Sequence, residues 1–238
     1  MKPILILQHL SADGPGYFGH WLREQAVPFE VCNTQAGPDF PPALDTFSAL
    51  AVLGGEMSAN DPLPSLRQAE ALILQAVNAD KPVIGHCLGG QLMARALGGR
   101  VMDSPAPEIG WQRIDLLPGA QPQSWFGQRT QATVFQWHFE AFELPPGATA
   151  LARSPVCTNQ AFALGPHLGM QFHVEVDVDK VTRWSHDKGE RWRAAQQQYP
   201  ATVQGPEALR AGLQSHLPAQ QGLARQLYGR WLQAVSRR

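Results

Sequence analysis

A cysteine set between glycines at a strand-to-helix junction constrains this chain more than any other feature. The apolar run Pro82-Val83-Ile84 leads into Gly85-His86-Cys87-Leu88-Gly89-Gly90-Gln91, and Leu92-Met93-Ala94-Arg95-Ala96-Leu97 then reads as a helix. A nucleophile placed on so sharp a turn needs small neighbours two residues to either side. Gly85 and Gly89 meet that demand. The cysteine then stands at a helix N-terminus, where free N–H groups and the dipole favour thiolate over thiol. Such sites lower a thiol pKa of roughly 8.5 by about one to several units. Cys87 is therefore the candidate nucleophile.

A nucleophile of this kind needs a base, and the base needs an orienting group. Gly169-Met170-Gln171-Phe172-His173-Val174-Glu175 supplies both, with residues 170–172 read as the end of a strand. His173 and Glu175 are two apart, so extended backbone puts them on one face, and a bend after His173 would still let the acid reach the imidazole. Asp177, two residues further on, is the competing acid.

The rest of the chain reads as alternating strands and helices. Strands are expected at residues 4–7, 29–32, 47–53 and 82–86, and helices at 17–25, 63–79 and 91–97. That alternation implies a doubly wound, mostly parallel sheet with helices on both faces. Residues 100–169 break it with short alternating segments, among them 112–116 and 133–137. These read as a small antiparallel insertion carried on one side of the sheet. From residue 178 the chain becomes helical and polar. Residues 181–198 interleave Trp184 and Trp192 with charge, and their spacing of eight puts both on one helical face. Two more helices are expected at 206–216 and 222–237. The organisation expected is a domain over residues 1–177 and a helical extension over 178–238 packed on it.

These motifs together resemble the class I glutamine amidotransferases of the Cys-His-Glu type, nearest to the amidotransferase domain of GMP synthetases and its stand-alone relatives. Residues 85–91 fit the family's G-x-C-x-G-x-Q elbow. Residues 171–175 fit its Q-F-H-x-E element, with Val174 where Pro is commoner. Leu53-Gly54-Gly55-Glu56-Met57-Ser58 resembles the glycine-rich oxyanion strand, with Glu56 in place of a usual Pro. The resemblance implies that Cys87, His173 and Glu175 form the triad. An oxyanion needs backbone N–H donors about 3 Å away. One comes from Leu88, after the nucleophile, and by resemblance the second comes from Gly55. Gln91 and Met57 are implied to touch the bound glutamine, Gln91 otherwise being an ordinary exposed helix residue. Gln136-Trp137-His138-Phe139-Glu140 stands where relatives carry Ser-His-Gly-Asp, so His138 and Glu140 are implied at the substrate's α-amino group. The alternative for that segment is a plain surface strand.

The implied activity is hydrolysis of the glutamine side-chain amide through a cysteine thioester, with no metal or organic cofactor. The alternatives are a γ-glutamyl peptidase acting on γ-glutamyl compounds and a non-catalytic scaffold. The chain has no P-loop sequence and no synthetase-like second part, so an ammonia acceptor would be a separate synthetase subunit. Net charge of −1 in 238 residues gives no electrostatic case for nucleic acid or an anionic membrane. No apolar run nears the roughly 20 residues of a membrane span. Three cysteines without paired spacing point to the reducing cytoplasm, with Cys32 read as core and Cys157 as surface loop.

Overall fold

The computed structural model describes residues 1–35, 40–186 and 189–236. In chain order its elements are β1 (Ile4–Gln8), α1 (Gly16–Glu24), β2 (Phe29–Asn33), β3 (Ala49–Val52), α2 (Pro64–Asn78), β4 (Val83–His86), α3 (Leu88–Ala96), β5 (Val101–Leu116), α4 (Ala120–Phe126), β6 (Gln131–Phe142), β7 (Thr149–Arg153), β8 (Ala161–Leu164), β9 (His167–Met170), α5 (Val178–Trp184), α6 (Glu190–Gln198) and α7 (Pro206–Ser236). The described strands form one sheet in the order β2-β1-β3-β4-β9-β8-β7-β5-β6. The first five run parallel to their neighbours. From β9 outward the pairings are antiparallel.

Strand alternation distributes the core. Ile4, Ile6, Ala49, Ala51 and Ile84 pack on one face with Phe18 and Trp21 of α1, Trp125 of α4, and Leu227 and Trp231 of α7. Leu5, Leu7, Leu50, Val52 and Val83 pack on the other with Leu66 and Ile73 of α2 and Leu92 and Met93 of α3. Because β1, β3 and β4 are covered on both faces, they read as unbroken apolar runs rather than alternating ones. A third cluster joins Trp111 of β5 and Phe135 of β6 to Val181 of α5, Trp192 of α6 and Leu209 of α7.

Several expected elements differ in extent. The antiparallel segments are longer than expected, a ribbon of β5 and β6 that continues the sheet itself at its edge. β3 starts at Ala49, since the chain is still turning at Phe47, whose N–H bonds to Leu44 O. β9 ends at Met170, leaving Gln171 and Phe172 beyond it. Residues 181–198 are not one helix. α5 stops at Trp184 and α6 starts after Gly189, whose backbone is extended, so Trp184 and Trp192 share no helical face. Conversely, residues 206–236 form one helix straight through Pro218. A proline inside a helix costs about 3 kcal/mol, and here burial of Leu217, Leu223 and Ala224 near it offsets that cost. Asp187, Lys188 and Arg237 lie outside the described residues. Among those described, no helix is long and apolar enough to cross a membrane.

Trp231 is wholly buried between α7 and the sheet face. Trp231→Ala is expected to cost about 3–5 kcal/mol and to do so in a single cooperative urea transition, seen alike by circular dichroism and fluorescence. A separate early transition would show that α7 folds independently of the sheet.

Candidate active site

Cys87 has φ 49° and ψ −110°, a positive φ that a non-glycine residue rarely adopts. Such strain costs about 1–3 kcal/mol and persists only where the surroundings enforce it. Here the enforcement is backbone. Cys87 N–H donates to Met170 O at 2.9 Å, and Gln91 N–H donates back to Cys87 O at 2.9 Å. Side chains are excluded around the turn because main chains touch. A Cβ on Gly89 would lie 2.1 Å from Val52 O, one on Gly90 2.4 Å from Met170 O, and one on Gly85 2.6 Å from Gly89. α3 begins at Leu88, three residues before its expected start, so its positive end points at the cysteine. Gln171 Nε2 lies 3.7 Å from the sulfur and Trp137 O 3.6 Å from it.

His173 follows β9 and is anchored by its own N–H to Phe135 O at 2.8 Å. Its Nδ1 meets Glu175 Oε1 at 2.6 Å, with both side chains buried. Nδ1 is thereby engaged, leaving Nε2 for a reacting group. Burial opposes charge on the imidazole. The Glu175 carboxylate, the Cys87 sulfur and hydrogen bonds to both outweigh it and raise the His173 pKa. Burial likewise opposes the Glu175 carboxylate, but His173, then His86 and Lys180, hold its pKa down at about 2. Gly54 makes room for the meeting: a Cβ there would stand 2.8 Å from His173 Cε1 and 3.7 Å from Cys87 Cβ. Asp177 is occupied elsewhere. It caps α5, accepting Lys180 N–H at 2.8 Å, and its other oxygen lies 3.8 Å from His20.

A cavity of about 680 Å³ opens above Cys87 and His173, with Gly54, Gly55, Met57, Gln91 and Glu140 in its walls. Gly55 packs close over Leu88 and His9. Leu88 itself is buried at the first position of α3. Gln91 is not an exposed helix residue: it is buried, and its Nε2 donates to Glu140 O at 3.0 Å and to Gln171 Oε1 at 3.3 Å. Glu140 Oε1 accepts from Ser58 Oγ at 2.7 Å. His138 lines the floor with both ring nitrogens taken, Nδ1 by Glu140 O at 3.0 Å and Nε2 by Glu108 Oε2 at 3.1 Å. Its part in the geometry is to hold the Glu140 backbone. Segment 136–140 is therefore no plain surface strand.

Other residues around the cavity were not legible as a site. Asp13, in the loop after β1, accepts Lys180 Nζ and Arg183 Nη2 at 2.8 Å each and Trp184 Nε1 at 3.3 Å. The available signal was its place beyond the carboxyl end of a parallel strand, where open α/β sheets bind ligands. Behind His173 and Glu175, His86 Nε2 meets Tyr228 OH at 3.1 Å, and burial lowers the His86 pKa to about 4, leaving it neutral. Cys157 lies buried rather than on a surface loop, because residues 154–157 fold back on the Ser154 hydroxyl, and burial pushes its thiol up to about 12. Cys32 is half-buried on the edge strand β2 and packs against the second core cluster from its margin. Among the described residues, no three His, Cys, Asp or Glu side chains gather closely enough to hold a metal ion.

Comparison with known proteins gives the family. The family profile described as glutamine amidotransferase class-I matches residues 20–183. The glutamine amidotransferase-like protein YfeJ of Salmonella typhimurium is 35% identical over 182 residues, which are 73% of this chain and 75% of that protein. The GMP synthase of Aeropyrum pernix is 35% identical over 189 residues, 77% of this chain but 35% of that longer protein. The crystal structure of a glutamine amidotransferase from Methylobacillus flagellatus superposes with a TM-score of 0.93 at 38% identity, covering 98% of this chain and 95% of that one. The chain belongs to the class I glutamine amidotransferase family.

Proposed function

We propose that the chain hydrolyses the side-chain amide of glutamine, or another γ-glutamyl amide, through a thioester on Cys87. The observation that carries this reading is the buried His173–Glu175 pair beside a cysteine held at positive φ on a helix N-terminus. Cys87 sulfur attacks the amide carbonyl. The N–H groups of Leu88 and Gly55 receive the oxyanion, each such donor being worth about 3–4 kcal/mol in the barrier. His173, held protonated by Glu175, passes its Nε2 proton to the departing nitrogen as the C–N bond breaks. Water then attacks the thioester, gives its proton to His173, and glutamate leaves as the C–S bond breaks. Glu175 orients the ring and stays ionised. Met57, Gln91 and Glu140 hold the glutamyl part, Glu140 at its α-amino group and His138 behind it.

We assign residues 1–177 to the amidotransferase-like domain and residues 178–238 to a helical extension on it. Where ammonia is passed on rather than released, the acceptor sits on a separate synthetase subunit. We assign the chain to the cytoplasm, because a reducing compartment keeps a nucleophilic thiol out of disulfides.

A glutamine-like chloroketone should label Cys87 first and abolish glutamate release by the purified chain. Cys157, with its raised pKa, should stay unlabelled in the same digest, and peptide mapping that finds Cys157 or Cys32 modified first would sink the assignment.

Triad members act as a unit, so Cys87→Ala and His173→Ala should each cost of the order of 10⁶-fold in kcat. Glu175→Gln, which removes the orienting acid, should cost less, about 10⁴-fold. Asp177→Asn should change kcat far less than Glu175→Gln; the reverse order would make Asp177 the orienter.

The pH profile carries a signed expectation. Glu175 raises the His173 pKa, so the imidazolium persists through neutrality and the alkaline limb of the rate marks the loss of that proton. Glu175→Gln removes the largest raising contribution, and the alkaline limb of kcat/KM should move to lower pH. An unmoved limb would separate that limb from His173.

A further inference from the structure

The wall of the cavity on the His173 side is aromatic and basic. Trp184 packs edge-on against the His173 ring at 5.0 Å. Trp137 meets Trp184 at 5.7 Å and Trp192 at 5.1 Å. Beside them the Arg191 guanidinium stacks on the Phe139 ring at 3.9 Å. All five side chains line the cavity. Arg191 is exposed and has no carboxylate partner among the described residues, whereas neighbouring Arg183 is committed to Asp13. Trp184, Arg191 and Trp192 lie beyond residue 183, where the match to the family profile ends.

Which part of a substrate would meet this wall follows from the chemistry, given the role of His173 proposed above. The departing nitrogen must lie against the group that protonates it, so whatever that nitrogen carries extends toward Trp184 and its neighbours. The glutamyl part is assigned above to Met57, Gln91 and Glu140, which line the same cavity. Ammonia would leave the aromatic wall unused. A cavity of about 680 Å³ falls within the roughly 300–1,000 Å³ that enclose drug-sized ligands, more than a five-carbon amino acid needs.

We propose that this wall is a leaving-group subsite, and that the preferred substrate is a γ-glutamyl dipeptide whose second residue is aromatic, with that residue's α-carboxylate bound by Arg191. Indole faces suit a flat apolar side chain, and a guanidinium already fixed by stacking loses little freedom in pairing with a carboxylate. Hydrolysis would then release glutamate and an aromatic amino acid by the same two steps, the C–N bond breaking as the thioester forms and water cleaving the thioester.

The test compares four compounds on the full chain: γ-glutamyl-phenylalanine, γ-glutamyl-glycine, γ-glutamyl-phenethylamide, which lacks only the carboxylate, and glutamine. γ-Glutamyl-phenylalanine should exceed each of the other three by at least about tenfold in kcat/KM. Arg191→Gln should bring γ-glutamyl-phenylalanine down to the phenethylamide. Calorimetry on Cys87→Ala should give the same order of affinities without turnover. Glutamine or γ-glutamyl-glycine cleaved as well as γ-glutamyl-phenylalanine would overturn the subsite and leave the hydrolase reading intact. An equal loss for both aromatic compounds in Arg191→Gln would put Arg191 on the glutamyl carboxylate and overturn the proposal as well. Selective binding to Cys87→Ala with no hydrolysis by the unaltered chain would keep the subsite and refute the hydrolase.

Discussion

The site depends on one backbone hydrogen bond, Cys87 N–H to Met170 O. It ties the first residue after β4 to the last residue of β9, and the parallel register that pairs His86 with Met170 continues into it. Two side chains far apart in sequence thus emerge from adjacent strand ends. The glycines around the elbow keep the layers close enough for that contact. At Gly89 and Gly90 the helix lies almost directly on the carbonyls of Val52 and Met170, so any side chain there would lift α3 off the sheet. The strained φ of Cys87 is what the chain accepts to present the sulfur upward from so tight a junction.

Once the strand ends are adjacent, electrostatics does the rest. Burial alone would keep His173 and Glu175 neutral, since charges leave water at high cost. Contact at 2.6 Å reverses this by letting each stabilise the other's charge. The neighbouring His86 is equally buried but has Tyr228 rather than a carboxylate, and it stays neutral. Two histidines near one acid thus hold different charge states because one of them bonds to it. Tyr228 belongs to α7, so that last helix also shapes the surroundings of His173 and Glu175.

Asp13 links the loop after β1 to α5 in front of the site. With Lys180, Arg183 and Trp184 all bonded to it, α5 is drawn against the loop after β1, and Trp184 is set beside His173. Gly16 fits under the same contact: a Cβ there would lie 2.4 Å from Glu175 O and 2.7 Å from the Lys180 stem. The cavity wall is therefore assembled from segments that have no periodic relation in sequence.

The parallel half of the fold, the elbow, and the pairing of His173 with Glu175 were legible because each is a local pattern. Apolar runs, glycine spacing and a two-residue offset act through neighbouring backbone, and that is where sequence speaks directly. Choosing Glu175 over Asp177 was less local, and it turns on Asp177 spending its carboxylate on the α5 cap. Beyond that, distance in sequence hid the answer. Nothing local shows that His138 would be held at both nitrogens, that Cys157 would be buried, or that Trp184 and Trp192, on separate helices, would both reach Trp137. α7 runs through Pro218 against its own local preference because the buried face it lays on the sheet outweighs a proline. Local pattern in the chain picked out the candidate nucleophile and the residues at its turn. Tertiary packing decided what surrounds them, because burial and long-range contacts set those terms and neither is written in adjacent residues.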